Sequence, residues 1–265
     1  MLLAAKEGYI AVFDSGVGGI SVLRELVRQM PGENYLYFGD SANAPYGKRT
    51  TEEVRQLTLK AADMLLSRGA KALVIACNTA TAAAINDLRQ QHPDTIIIGI
   101  EPALKVAADR FPGGKVGVMA TPVTLREDKF AAQLERFPGM DVKLIPVPDL
   151  VELVEQGHNN DEAVEALLRP VLEPFAGTLD AVVLGCTHYP FAAATISRIL
   201  GPGTAILDGG PGTARETYRR LSEAGLLRSG PGSIQFENSA GDPKKLQLCA
   251  TLLERQETSY DPLSL

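Results

Sequence analysis

A short apolar run that ends in cysteine occurs twice in this chain, and it limits the fold more than any other feature. The first copy is Lys71-Ala-Leu-Val-Ile-Ala-Cys77-Asn78-Thr79-Ala-Thr81, and the second is Leu179-Asp-Ala-Val-Val-Leu-Gly-Cys186-Thr187-His188-Tyr189-Pro190. Each has a charged lead-in, a β-branched run, a small residue, Cys, and then polar residues that open a helix-like segment. A continuous apolar run of this length reads as a strand buried on both faces. Buried strands alternating with helices predict a parallel sheet, because parallel neighbours need a crossover of a dozen or more residues.

The rest of the chain fits the same grammar. Tyr9 to Phe13 reads as a strand, Asp14-Ser15-Gly16-Val17-Gly18-Gly19 as a tight turn, and Val22, Leu23, Leu26 and Val27 as one face of a helix. A strand over Tyr35 to Phe38 ends near Asp40, and a turn-rich loop follows through Asn43, Pro45, Tyr46, Gly47 and Lys48. A helix from about Thr51 to Ser67 is closed by Gly69. The Cys77 strand, a helix over Ala80 to Gln91 and a strand over Thr95 to Gly99 complete the first half. The pattern then restarts with a strand at Lys115 to Met119, where Thr121-Pro-Val-Thr124 opens a helix over Leu125 to Arg136. After it come a strand at Val142 to Val147, a short helix ending at Gly157, a helix over Asp161 to Phe175, and the Cys186 strand. The offset from Asp14 to Ala120 nearly equals that from Cys77 to Cys186, as an internal duplication requires. A strand at Ala205 to Leu207, a helix near Pro211 to Ala224, a strand at Ser233 to Asn238 and a terminal helix through Cys249 follow. The expected fold class is α/β: two pseudo-symmetric parallel-sheet domains with the active site between them. Crossovers near Glu101-Pro102 and Asp208-Gly-Gly-Pro211 divide residues 1–99 with 208–265 from residues 100–207.

Composition narrows the partner. The chain has 265 residues, enough for two small cores, with a net charge of −6 and a pI near 5.2. No basic run suited to neutralising phosphates is present, which argues for a small-molecule substrate and against nucleic acid or an acidic membrane. Three cysteines make no disulfide framework, and no Cys/His spacing suits zinc. The N-terminal Met-Leu-Leu-Ala-Ala-Lys-Glu is too short for a leader, and no apolar run approaches the ~20 residues that span a bilayer. The expectation is a soluble cytoplasmic protein without cofactor or metal; a homodimer is compatible with it.

Ligands of open α/β sheets gather at the carboxyl ends of the strands, where this chain places Asp14-Ser15, Asp40, Cys77-Asn78-Thr79 and Cys186-Thr187-His188. Each cysteine is expected to precede a helix N-terminus, a place that lowers a thiol's pKa from about 8.5 towards neutrality and can hold a carboxylate. Two thiols on facing domains suit removal of a proton from one face of a carbon and its return to the other.

The motifs Asp14-Ser15-Gly-x-Gly-Gly, Phe38-Gly-Asp40-x-x-Asn43-x-Pro45-Tyr46-Gly47, Ala76-Cys77-Asn78-Thr79-Ala-Thr81 and Gly185-Cys186-Thr187-His188-Tyr-Pro, taken in order, resemble the glutamate racemases of the cofactor-independent aspartate/glutamate racemase superfamily. The likeness runs from about Ile10 to Asp208. It implies that Cys77 acts on D-glutamate and Cys186 on L-glutamate, with Asp14, His188 and the Leu-Val-Glu acid Glu155 assisting. It implies that Ser15, Pro45, Tyr46, Gly47, Asn78, Thr79, Thr121, Thr124 and Thr187 hold the amino acid beside Asp14, His188 and the two thiols. The product would be D-glutamate for peptidoglycan. The chain departs from the family in carrying Glu127 and Phe130 after Thr121 and Thr124, where Ser and Tyr are usual.

Plainer readings stand beside these. A lone Cys77 or Cys186 would be a small core residue, as buried free cysteines usually are, and Cys249 keeps that reading in the stripe of a terminal helix. His92 and His158 belong to turns. Asp14 serves equally as a helix cap. Gly16-x-Gly18-x-x-Ser21 lacks the third glycine of a dinucleotide site. Glu152 and Glu155 lie one turn apart, and the residues alone do not choose between them. Competing functions are racemisation of aspartate or another acid, a redox pair, a thiol hydrolase, and a non-catalytic two-domain module that binds acidic amino acids. No lysine in these motifs suggests pyridoxal phosphate.

Overall fold

The computed structural model describes residues 7–126 and 128–254, without the side chains of residues 123, 126, 128–130 and 133. Residues 1–6, read above for a leader, Glu127 and the side chain of Phe130 therefore lie outside the described residues. Two sheets form the frame. In the first, β1 (Tyr9–Asp14), β2 (Asn34–Gly39), β3 (Ala70–Ile75), β4 (Ile96–Gly99) and β9 (Ser233–Asn238) lie in the order β4-β3-β1-β2-β9. In the second, β5 (Lys115–Ala120), β6 (Asp141–Pro146), β7 (Ala181–Leu184) and β8 (Ala205–Asp208) lie in the order β6-β5-β7-β8. All pairings are parallel. Raising each number of β4-β3-β1-β2 by four gives the second sheet read backwards, so the duplication legible in the sequence is a duplication of topology, with β9 added to one edge. Cys77 and Cys186 follow equivalent strands.

Helices α1 (Ile20–Gln29), α2 (Thr51–Ser67), α3 (Asn78–Gln91) and α4 (Leu104–Arg110) cross over in the first half and its exit. Thr50 and Glu53 form a capping box at the start of α2, and Gly69 leaves its end with φ +92°, in the left-handed region that glycine enters freely. In the second half α5 (Pro122–Arg126) and α6 (Asp128–Glu135) replace the single helix expected from Leu125. The helix starts at Pro122, whose fixed φ suits a first turn. Then come α7 (Asp149–Glu155), α8 (Glu162–Leu172), α9 (Ala193–Leu200), α10 (Gly210–Glu223) and α11 (Pro243–Glu254). Helices α10 and α11 pack against α1, returning the C-terminal segment to the first sheet.

The strands alternate faces. Ala11, Phe13, Leu73 and Ile75 point into a cluster under α2 and α3, while Ile10, Val12, Ala72 and Val74 point the other way. That second cluster continues without a break to Met119, Ile145 and Leu184 of the second sheet and to α7, α8 and α9. Each aliphatic side chain fully buried in it contributes about 1.5–3 kcal/mol. The two sheets thus share one apolar layer, which brings the carboxyl ends of β1, β3 and β7 to one place. No helix among the described residues is long and apolar enough to cross a membrane.

Candidate active site

The two halves meet at the turn after β1. Asp14 is fully buried; its Oδ2 accepts the Gly16 N–H at 3.0 Å and its Oδ1 accepts the Thr187 hydroxyl at 3.0 Å. Burial raises its pKa, against the pull of His188 and these hydrogen bonds. The glycines of this turn admit the second half. A Cβ on Gly16 would lie 1.9 Å from Glu155 Oε1, and one on Gly18 would lie 2.4 Å from His188 Nδ1 and 2.6 Å from Thr187 Oγ1. What looked like an incomplete dinucleotide motif is a set of gaps for catalytic-type side chains.

Cys77 caps α3, with its Sγ accepting the Ala80 N–H at 3.4 Å and standing 3.6 Å from Ser15 Oγ. The expectation of a thiol lowered towards neutrality is corrected here. Burial, reinforced by the Asp14 charge, pushes Cys77 up to about 12, and the helix N–H and the Ser15 contact offset only part of it. Cys186 is corrected in another way. It does not precede an α-helix: Tyr189–Ala192 form a 3-10 turn around Pro190, which has no N–H to give, and α9 begins only at Ala193. The polar partner of Cys186 is His188 instead, with Nδ1 3.7 Å from Sγ.

His188 Nε2 lies 2.9 Å from Glu155 Oε1, and the same oxygen accepts the Val17 N–H at 2.7 Å. Burial alone would lower the imidazole's pKa, but hydrogen bonds to Cys186 and Glu155 and their charges hold it well above its ordinary value. Burial would likewise raise Glu155; hydrogen bonds from His188 and from Lys245 of α11 prevail and bring it to about 2. Glu152, one turn earlier, is exposed and pairs with Lys48 at the mouth of the cleft. Of the two acids one turn apart, Glu155 is the one placed against His188.

The cleft itself is lined by Ser15, Pro45, Tyr46, Gly47, Lys48, Cys77, Asn78, Thr79, Thr121, Pro148, Val151, Cys186, Thr187 and His188. Its volume, open mouth included, is about 440 Å³, within the range of small-ligand sites. Asp40 shapes one wall from behind, accepting Tyr46 OH at 2.7 Å and the Asn43 amide at 3.0 Å, and so fixes the Pro45–Gly47 loop. Across the cleft Thr79 Oγ1 is 3.4 Å from Thr121 Oγ1 and 3.3 Å from Thr124 Oγ1, and these two hydroxyls are 3.0 Å apart. Both the oxygen and the nitrogen of the buried Asn78 amide lack a hydrogen-bond partner, an unusual cost unless a ligand supplies one.

Of the candidate substrate-binding and catalytic residues named from the sequence, Asp14, Thr124 and Glu155 stand behind the lining, as Asp40 does, and the others face it. Sequence reasoning missed Lys48, Pro148, Val151 and Lys245. Lys48 directly follows the Pro45–Gly47 loop, whereas nothing local marks Lys245. Cys249 is fully buried and pushed up to about 12 by burial. His92 pairs with Asp63 and His158 with Asp161 at the surface.

A doubled parallel α/β frame with one thiol per half in a shared cleft defines a class of two-thiol proteins, and comparison with known proteins agrees. Residues 10–217 match the Asp/Glu/Hydantoin racemase family model. A glutamate racemase of Clostridium botulinum (strain Alaska E43 / Type E3) is 46% identical over 253 residues, 94% of this chain and 98% of that one. The crystal structure of the Thermus thermophilus glutamate racemase in complex with β-chloro-D-alanine is similar with a TM-score of 0.81 at 37% identity, covering 98% of each chain. That of the Francisella tularensis enzyme in complex with D-glutamate has a TM-score of 0.83 at 28% identity over 95% of each chain. The chain belongs to the Asp/Glu/hydantoin racemase family.

Proposed function

We propose that this protein interconverts L- and D-glutamate by a two-thiol acid/base mechanism. The observation that carries the reading is the pair Cys77 and Cys186, set at equivalent strand ends of two sheets, both facing one cleft, each with its own titratable neighbour. The N-terminal N–H groups of α3, with Thr79, Asn78 and Thr187, are suited to the substrate's carboxylates. With L-glutamate, the Cys186 thiolate takes the Cα proton while His188 and Glu155 balance its charge. The Cys77 thiol then gives a proton to the opposite face, and its own negative charge develops beside Ser15 and the Ala80 N–H. With D-glutamate the two thiols exchange roles; the handedness follows from the family resemblance. Glutamate rather than a shorter acid is supported by the names of the relatives above.

The accompanying division of the chain, residues 1–99 with 208–265 against residues 100–207, follows the two sheets to within the last residue of β8. The reading extends to a cytoplasmic protein that supplies D-glutamate for peptidoglycan; a homodimer is compatible with it, which light scattering checks. Its test is exchange of the Cα proton of each glutamate enantiomer in heavy water, with aspartate alongside. Exchange of both glutamates is expected. Exchange of aspartate alone refutes the substrate, and binding without any exchange refutes the enzyme.

A further inference from the structure

The C-terminal helix reaches the Cys186 side of the cleft through one residue. Lys245, in the first turn of α11, places its ammonium 2.5 Å from Glu155 Oε2 and 2.8 Å from the Glu155 carbonyl. That carbonyl belongs to the last residue of α7, so the cation sits where a helix leaves carbonyls unpaired and favours positive charge. The two carboxylate oxygens are thereby divided: Oε2 serves Lys245, and Oε1 serves His188 and the Val17 N–H. The ammonium is largely shielded, with 23% side-chain exposure, and α11 is anchored by the fully buried Cys249 and Leu252.

We infer that Lys245 is a positioning residue for the Cys186 arm: from a helix distant in sequence, it fixes which Glu155 oxygen faces His188 and supplies the positive charge behind the His188–Cys186 contact. This rests on reading Cys186 as a reacting thiol. The other titratable groups facing this arm are Asp14 on β1, Tyr37 on β2, Asp149, Tyr189, Cys77 and Cys249. Lys48 lines the same cleft, but its ammonium pairs with the exposed Glu152 at the mouth; Lys245 is the cation in contact with Glu155 itself. Removing it makes a negative charge harder to form nearby.

The test uses the full chain with Lys245→Met, Lys245→Gln as an independent neutral variant, and Lys245→Arg. Alkylation of Cys186 and Cys77 by iodoacetamide is followed separately by peptide mass spectrometry against pH. In both neutral variants the Cys186 limb moves to higher pH by about half to one unit, roughly three- to tenfold slower alkylation near neutrality. The Cys77 limb stays in place, and Arg restores the Cys186 limb. A Cys186 limb that does not move, or equal movement at both thiols, overturns the proposal. Alkylation needs no turnover, so an unmoved limb counts against Lys245 alone, while absence of glutamate exchange by the unaltered protein counts against the racemase reading alone.

Discussion

Replacing Gly18 by alanine adds one methyl group at the contact between the two halves. Its Cβ would stand 2.4 Å from His188 Nδ1, 2.5 Å from His188 Cε1 and 2.6 Å from Thr187 Oγ1. Carbon contacts are comfortable at about 3.5–4.0 Å, so the imidazole must retreat by roughly 1 Å. It has no free direction: the ring is 2% exposed and held by Cys186 at 3.7 Å and by Glu155 at 2.9 Å. Retreat breaks one of those contacts, or the β1 turn opens and takes Asp14 with it. Overpacking of this kind costs about 1–3 kcal/mol of stability, and a misplacement of about 1 Å in a catalytic group costs about a hundredfold in rate. Gly18→Ala should therefore remain folded while its kcat, followed by circular dichroism of L-glutamate, falls by about two orders of magnitude. Gly212→Ala is the matched control. It lies within α10 with nothing within 4 Å of the added carbon, and should keep full activity and gain about 0.5–1 kcal/mol. A folded Gly18→Ala enzyme within threefold of the parent rate, as a rough bound on what a 1 Å retreat allows, would refute the argument.

Asn78→Ala removes an amide that has no protein partner, so it should leave the melting temperature nearly unchanged while raising KM for glutamate about tenfold; a lower melting temperature with unchanged KM contradicts this. With a glutamate analogue bearing a leaving group at the β-carbon, Cys77→Ser should retain elimination from the L-form and Cys186→Ser from the D-form, both losing racemisation. Equal loss from both enantiomers in folded mutants would show that the thiols serve one face. Glu155 titrates near 2 when folded and near 4.3 when unfolded, so its stabilisation is complete above about pH 5 and is lost as pH falls towards 2. Chemical unfolding should show about 3 kcal/mol of acid sensitivity that Glu155→Gln lacks, and parallel pH profiles for the two proteins would count against it.

The frame was legible because its signals are local. Strands buried on both faces leave apolar runs, Gly69 marks the end of α2, and the duplicated Cys units set two strand ends in register. The finer chemistry was not, because it depends on contacts between distant segments. Glu155 differs from Glu152 only in which side of α7 meets Val17 and His188, and Lys245 meets Glu155 from a helix 90 positions away. The glycines after β1 betray their purpose only when the second half is placed against them. The acidity of Cys77 went wrong for a related reason. A helix N-terminus is visible in sequence, but the burial and the neighbouring Asp14 carboxylate that outweigh it are not.

Duplication has produced two equivalent strand ends but not two equivalent thiols. Cys77 stands by a carboxylate and is held as a thiol, whereas Cys186 stands by an imidazole raised well above its ordinary pKa and backed by Glu155. On the mechanism proposed above, Cys77 held as a thiol is the proton donor needed when L-glutamate reacts, with His188 and Glu155 standing behind Cys186 on the side of abstraction. Starting from D-glutamate requires the proton to be moved first. Mirror-image substrates have equal free energy, so kcat/KM must be the same in both directions at every pH, whatever the resting protonation. The asymmetry is therefore invisible in kcat/KM, though not in kcat or KM taken separately, and shows most directly in one-sided chemistry, where each thiol acts alone. It also explains why the supporting residues are unlike. A side chain held as an acid needs shielding and a nearby negative charge, which Asp14 provides in the buried turn after β1. A side chain used as a base needs a cation that can take up and return charge, which His188 provides with Glu155 behind it.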